Sequence, residues 1–356
     1  MARDRLLAAA APRPLRRVPG NGGEQAPSMT DVADMAGVSH QTVSRVLAGH
    51  PNVRSQTRAR VLAAIEELGY RPNRAARALA TGRTRTLGVV SMNSTLYGPA
   101  SMLYGIEEAA SLVNYSVTVA SLRSIDRASL RQAVDRLLND AVDGLVLIAP
   151  LVSAGEELGE LPPGIPVVAV DGDPGIPGTV VRIDQEAGAR AATEHLLAAG
   201  HRTVWHLAGP SDWLDAQARI QGWRSALRDA GAEEPPLLTG DWSAASGYQA
   251  GQVLARVPEL TGVFVANDQM ALGVLRALSE HGRRVPDDIS VVGFDDIPEA
   301  AYFTPPLTTV RQDFGEVGRS SLRALLSQID GRPDAVDRVL VDTNLVVRQS
   351  TAPPRS

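Results

Sequence analysis

The sequence contains no cysteine and no lysine. Without thiols there is neither a disulfide framework nor a thiolate metal site, and a reducing cytoplasm is the natural compartment. Without lysine, all 35 basic side chains are arginines; beside the heavy use of alanine, this reflects coding bias rather than mechanism. Long apolar runs are missing too, and none approaches the ~20 residues of a membrane span. The stretch from Leu6 to Ala11 falls short of the roughly 7–15 apolar residues of an export signal, and Arg13, Pro14, Arg16 and Arg17 follow it at once. Catalytic signatures are equally absent: there is no G-x-S-x-G elbow, dinucleotide turn, P-loop or H-E-x-x-H. A cytoplasmic protein that is not an enzyme and uses no cofactor or metal is expected. His195, His201 and His206 cluster in sequence, but one falls in an apolar helix and one in a strand pattern, which suits packing better than metal ligation. Asp171-Gly172-Asp173 lacks the downstream spacing of a calcium loop.

What is present is a folded chain of uneven charge. At 356 residues it exceeds one compact core, so two or three folded units are expected. The net charge of −5 conceals a segregation: residues 1–85 hold 14 arginines against 6 acids, a surplus of +8, so the remaining 271 residues carry −13. A basic head on an acidic body suggests that the head meets a polyanion.

Residues 1–27 read as a flexible tail, and three helical signatures follow over 28–71. Thr30 is expected to cap the first helix, which Gly37 closes; Ser39 caps a second, His40 to Leu47, closed by Gly49. Ser55 caps a third, whose Val61, Leu62, Ile65 and Leu68 form an apolar stripe ending at Gly69. Two short helices around a glycine turn, braced by a third, make a helix-turn-helix head. Over 72–85, Pro72 and Asn73 allow one small basic helix and a linker. From Leu87, short apolar strands alternate with amphipathic helices, which predicts doubly wound parallel sheets. Two such sets meeting near residue 184 predict two lobes around a cleft over 86–350, with the chain crossing back after Pro305-Pro306 and a short tail at 351–356. The fold class is thus an all-α helix-turn-helix head on an α/β, two-lobed, periplasmic-binding-protein-like body.

In such a head the first side chains of the second helix reach base edges in the major groove. These are His40, Gln41 and Arg45; Gln pairs bidentately with adenine and Arg with guanine, while Ser39, Thr42 and Ser44 suit phosphates or capping. Thr30-Asp31-Val32-Ala33, the run from Gly37 to Leu47, Gly240-Asp241-Trp242-Ser243-Ala244, Val265 to Gly273, Asp288 to Asp296 and Pro306-Leu307-Thr308-Thr309 together resemble the lactose-repressor family of transcription regulators. The likeness runs from about residue 30 to 348.

That resemblance implies a repressor of double-stranded, palindromic operator DNA, controlled by a small sugar of galactoside type. It implies a hinge helix carrying Arg74, Arg77 and Leu79 in the minor groove, with Leu79 wedged between base steps. It also implies a sugar pocket. There Asp171, Arg219, Asn267 and Asp295 suit vicinal hydroxyls, Trp242 supplies a ring face, Gln312 and Phe314 join from the crossover segment, and Leu96, Pro99 and Met102 form an apolar lining. Met92, Ile148, Trp213 and Asp215 reshape what is expected to be the first-lobe wall. The chain ends about eight residues after Arg348, leaving no length for a heptad-repeat helix, so a homodimer is expected. The rivals are a periplasmic-type sugar-binding protein, which the head argues against, and a repressor sensing a purine or phosphorylated metabolite, which the acids at 171 and 295 oppose.

Overall fold

The structure is a computed structural model that describes residues 27–355 apart from 48, 72–77, 79–81, 93–94, 123–126, 149, 151–163, 173–177 and 333–337. Residues 1–26 of the tail expected over 1–27, and the hinge residues Arg74, Arg77 and Leu79, lie outside the described residues. The chain divides into two compact units, residues 1–81 and 82–356.

The head is built on α1 (Met29–Ala36), α2 (His40–Leu47) and α3 (Ser55–Leu68). The cap of α1 is Ser28 rather than Thr30. Its Oγ accepts the Asp31 N–H at 3.3 Å while Asp31 Oδ2 accepts the Ser28 N–H at 2.7 Å, a reciprocal capping box that Thr30 is too late in the chain to form. Gly37 ends α1 at φ +58°, a left-handed conformation that a side chain resists. Ser55 begins α3 but does not cap it; Arg54 stands at the cap position without a side-chain bond. Its buried stripe is Val61 and Ala64, whereas Leu62 is half exposed. Val32, Ala36, Val43 and Val46 complete the small core.

The body carries two six-stranded sheets. The first joins β1 (Thr86–Met92), β2 (Ser116–Leu122), β3 (Gly144–Ile148), β4 (Val167–Val170), β5 (Thr179–Ile183) and β11 (Arg338–Val341) in the order β11-β5-β4-β3-β1-β2, parallel throughout. The second joins β6 (Trp205–Ala208), β7 (Leu238–Thr239), β8 (Gly262–Val265), β9 (Ser290–Asp295), β10 (Thr308–Gln312) and β12 (Thr343–Val346) in the order β12-β10-β9-β8-β6-β7, with only β12 antiparallel. Their central strands are apolar on both faces, which only a covered sheet tolerates.

Helices α4 (Tyr97–Leu112) and α10 (Phe314–Ile329) pack one face of the first sheet, and α5 (Arg127–Asn139) the other. Helices α6 (Gln185–Ala198) and α7 (Leu214–Asp229) cover one face of the second, with α8 (Ala244–Leu254) and α9 (Asp268–Glu280) opposite. The chain crosses between lobes at Asp184, at Asp313 and between β11 and β12. Asp184 and Asp313 cap the helices they enter, accepting the Ala187 and Glu316 N–H groups at 2.9 and 2.8 Å. The return expected after Pro305-Pro306 therefore comes later, because β10 first extends the second sheet. Residues 351–355 are no loose tail: Ser290 Oγ accepts the Ala352 N–H at 2.9 Å, and His195 Nε2 and Thr351 Oγ1 lie 2.9 Å apart.

Candidate functional site

In the head, Val43 and Val46 anchor α2 to the core, at 0% and 4% exposure, and so turn its opposite face to solvent. His40, Gln41, Ser44 and Arg45 are exposed, with Ser39 just before the helix. Thr42 is half-buried; its N–H donates to Ser39 Oγ at 3.3 Å and the two hydroxyls lie 2.9 Å apart, so both are engaged in the cap. Arg60 fixes the turn ahead of α2, its guanidinium donating to the carbonyls of Ala36 and Gly37 at 2.5–3.1 Å. A helix N-terminus, which attracts anions, is thereby held beside an exposed arginine and two exposed amide- and imidazole-bearing side chains.

In the body, a cavity of about 250 Å³ lies between the lobes. The first lobe lines it with Leu96, Tyr97, Pro99 and Met102 from the start of α4; the second contributes Trp213, Asp215, Arg219, Trp242, Asn267, Asp295 and Gln312. Strand geometry explains the second set. Asp295 ends β9, Asn267 follows β8 and Gln312 ends β10, so all three stand at the carboxyl edge of one sheet, where open α/β folds gather ligands. Trp213 and Asp215 follow β6, so they belong to the second lobe and not to the first-lobe wall expected from the sequence. Met92 packs among second-lobe residues in the core beneath the cavity.

The polar wall is a closed ring of side chains. Arg219 Nε donates to Gln185 Oε1 at 2.9 Å, Gln185 Nε2 to Gln312 Oε1 at 2.8 Å, and Gln312 Nε2 to Asp295 Oδ1 at 2.6 Å. Arg219 Nη2 stands 3.7 Å from Asp295 Oδ1 and closes the circuit. The guanidinium also donates to the Ala266 carbonyl and lies over the Phe294 ring at 3.8 Å. Burial pushes the Asp295 carboxyl up to about 7 against the lowering influence of Arg219. Asn267 caps α9, its Oδ1 accepting the Met270 N–H at 3.0 Å, while its Nδ2 donates to the Trp242 carbonyl at 3.0 Å. The ring of Trp242 rests on Gly209, where an added Cβ would come within 2.1 Å of it, and meets Trp213 edge-on at 5.5 Å. Asp171, Trp242 and Asp295 all hold positive φ, of 49°, 72° and 110°; such strain costs about 1–3 kcal/mol per residue and gathers at binding sites.

Four expected pocket residues do not line the cavity: Met92, Ile148, which is buried in the first-lobe core, Phe314 and Asp171. Phe314 opens α10 and turns its ring edge-on to Tyr97, centroids 5.9 Å apart, inside the first-lobe core. Asp171 is 1% exposed behind the wall, with Oδ1 accepting the Ile183 N–H at 3.2 Å. Conversely, Gln185 and Tyr97 were not anticipated. Gln185 sits in the first turn of α6, where a polar residue signals only a helix start, and Tyr97 sits in an apolar helix start. His206 is fully buried, stacked on Phe264 at 4.6 Å, and burial lowers it to about 3, so it stays neutral in the core. Among the described residues no helix is long and apolar enough to cross a membrane.

A two-lobed ligand-binding body and a helix-turn-helix head on one chain define a class: ligand-responsive DNA-binding regulators. Residues 28–73 match the bacterial regulatory proteins of the lacI family, and residues 193–351 match the periplasmic binding protein-like domain. The chain is 37% identical over 331 residues to the lactose operon repressor of Escherichia coli (strain K12), covering 92% of each. The crystal structure of the Lac repressor dimer bound to operator and an anti-inducer superposes with a TM-score of 0.79 at 35% identity, covering 92% of this chain and 100% of that one. A complex of the transcriptional regulator CelR with cellobiose superposes at 0.68 and 36% identity, covering 91% and 99%. The chain belongs to the lacI family of bacterial regulatory proteins.

Proposed function

We propose that this regulator is a transcriptional repressor, acting in the cytoplasm as a homodimer on a palindromic operator, whose DNA affinity falls when a small sugar of galactoside type occupies the cavity. The observation that carries the sugar is the arrangement of the cavity, in which the ring of Arg219, Asp295 and Gln312 stands on the same wall as the Trp242 face. Vicinal hydroxyls each donate and accept, so paired planar groups suit them, and an aromatic face packs on ring C–H groups. The cellobiose complex of a relative supports the class of ligand. A purine or phosphorylated effector is disfavoured, because Asp215 and Asp295 line the cavity against one arginine.

On this reading, sugar binding draws the lobes together and lowers the affinity for operator. The coupling equals the ligand's differential affinity for the two states, about 1–3 kcal/mol for a several-fold to hundredfold effect. The test is titration of an inverted-repeat operator with and without sugars drawn from a thermal-shift screen of galactosides, glucosides, pentoses and purines. Operator release by a sugar supports the reading; response to a purine alone overturns it. Arg45→Ala should weaken specific operator binding by about 1–3 kcal/mol while leaving sugar binding unchanged. An unaltered footprint would remove α2 from the interface.

A further inference from the structure

One acid lining the cavity has no hydrogen-bond partner among the described residues, and the arginines that act on it, Arg219 and Arg182, do so only at a distance. Asp215, in the first turn of α7, lines the cavity and is 8% exposed, yet its carboxylate has no hydrogen-bond or ion-pair partner among the described residues. Asp171 behind it keeps Oδ2 unpartnered as well, and the two charges oppose each other. Arg219 lies one helical turn beyond Asp215, but its donors are turned to Gln185, the Ala266 carbonyl and Asp295. A buried carboxylate normally takes two or three donors or a contacting opposite charge; at Asp215 burial outweighs the distant Arg219 and Arg182, and leaving it without a donor is expensive. A sugar hydroxyl offers one donor and no charge. An ammonium offers three donors and a positive charge. Trp213 and Trp242 line the same cavity, and indole rings attract cations, as Trp242 already does Arg219 at 5.5 Å.

We propose that the effector is an amine-bearing sugar whose protonated nitrogen sits against Asp215, the acid of Asp171 lying behind. This rests on the sugar-sensing reading and narrows it. The ring hydroxyls remain with Asp295, Gln312 and Arg219, so the amine decides between sugars that the polar ring alone accepts. Burial raises both Asp171 and Asp215 in the empty protein, and a bound cation supplies what holds them ionised.

The test compares galactosamine with galactose, glucosamine with glucose, the 6-amino-6-deoxy sugars with the same parents, and the N-acetyl forms, by calorimetric titration of the full chain at pH 7. At least one amine should bind about tenfold or more tightly than its hydroxyl parent, as a charge-assisted bond to a buried carboxylate gives. N-acetylation should erase that advantage, and Asp215→Asn should reduce it to about twofold or less. Removing a like charge from beside Asp171 should leave the Tm of Asp215→Asn at or above that of the wild type; should that variant fail to fold, the wild-type ratio and its loss on acetylation decide alone. Equal binding of amine and parent by the wild type, or an advantage that survives Asp215→Asn, overturns the amine and leaves the sugar. If no sugar of either kind binds, the sugar-sensing reading itself falls.

Discussion

The first lobe meets the cavity mainly with Leu96, Tyr97, Pro99 and Met102, whereas the second adds to Trp213 and Trp242 the charged and amide groups of Asp215, Arg219, Asn267, Asp295 and Gln312. These walls differ in what holds them. Apart from Asp215, the polar side chains are bonded to one another and to backbone within their own lobe, so their geometry exists before any ligand arrives. The apolar side chains have no direction to impose; they contribute area and exclude water. On the proposed reading, such a division places recognition in one lobe and coverage in the other, so that a ligand docked on the second lobe would recruit the first.

The largest break in that asymmetry should come from Arg219→Ala. The guanidinium is 3% exposed, is the only cation lining the cavity among the described residues, and holds Gln185 and Asp295 in the ring. Removing one member of a buried charged network costs about 3–5 kcal/mol, moderated here because Asp295 can take up a proton. Ligand binding should be lost, while the head keeps its own core and still binds operator. The expected protein stays on DNA whatever sugar is added, as read by operator titration. Normal release by sugar would move the binding site elsewhere, and loss of operator binding would make Arg219 purely structural.

A smaller effect distinguishes the walls by pH. Burial holds Asp295 up to about 7, above its unfolded value near 4, so the folded state binds this proton more tightly. Stability from this group is therefore fully present at acid pH and falls as pH rises between about 4 and 7, by up to about 4 kcal/mol. Asp171 and Asp215 are raised by burial too and act with the same sign. Asp295→Asn should flatten that decline and raise Tm relative to wild type at pH 8, at the cost of ligand affinity. Parallel Tm–pH curves for the two proteins would mean that Asp295 is ionised throughout.

Much of this was legible in the sequence for a physical reason. Asp295 ends a six-residue strand and Asn267 comes two residues after a four-residue apolar one, and a polar residue at that edge of a parallel sheet has few neighbours except a ligand or a helix cap. Asn267 is both. The exposed face of α2 was legible because Val43 and Val46 fix which side of the helix turns outward. What sequence could not show depends on long-range placement. Gln185 reaches Gln312 across 127 residues, and no local pattern reports that contact. Phe314 lies beside Gln312 in the chain, but the start of α10 rotates its ring into the first-lobe core. Strands β7, β10, β11 and β12 escaped notice because each is short or not continuously apolar, and they take their place from neighbours already paired.

The mildest expected change is on the apolar wall, and it sharpens the comparison most. Leu96 stands at the cap position of α4 with φ −81° and ψ 148°, an extended conformation that alanine adopts freely, and its side chain makes no cap bond to lose. It is half-buried and packs against the second-lobe cluster that includes Trp213 and Trp242. Leu96→Ala removes about three carbons of ligand-facing surface, worth roughly 1–2 kcal/mol if all of it is covered on binding. Sugar affinity should fall several-fold with selectivity between sugars intact, because the groups that choose among hydroxyls stay bonded in the second lobe. The loss should also appear mainly as faster dissociation, since a thinner cover is easier to leave. Stopped-flow release of a bound sugar, run on several sugars, separates the cases. A uniform several-fold rise in release rate fits a wall that only covers. A change in the rank order of sugars, or a loss as deep as that of Arg219→Ala, would show that the first lobe recognises the ligand as well.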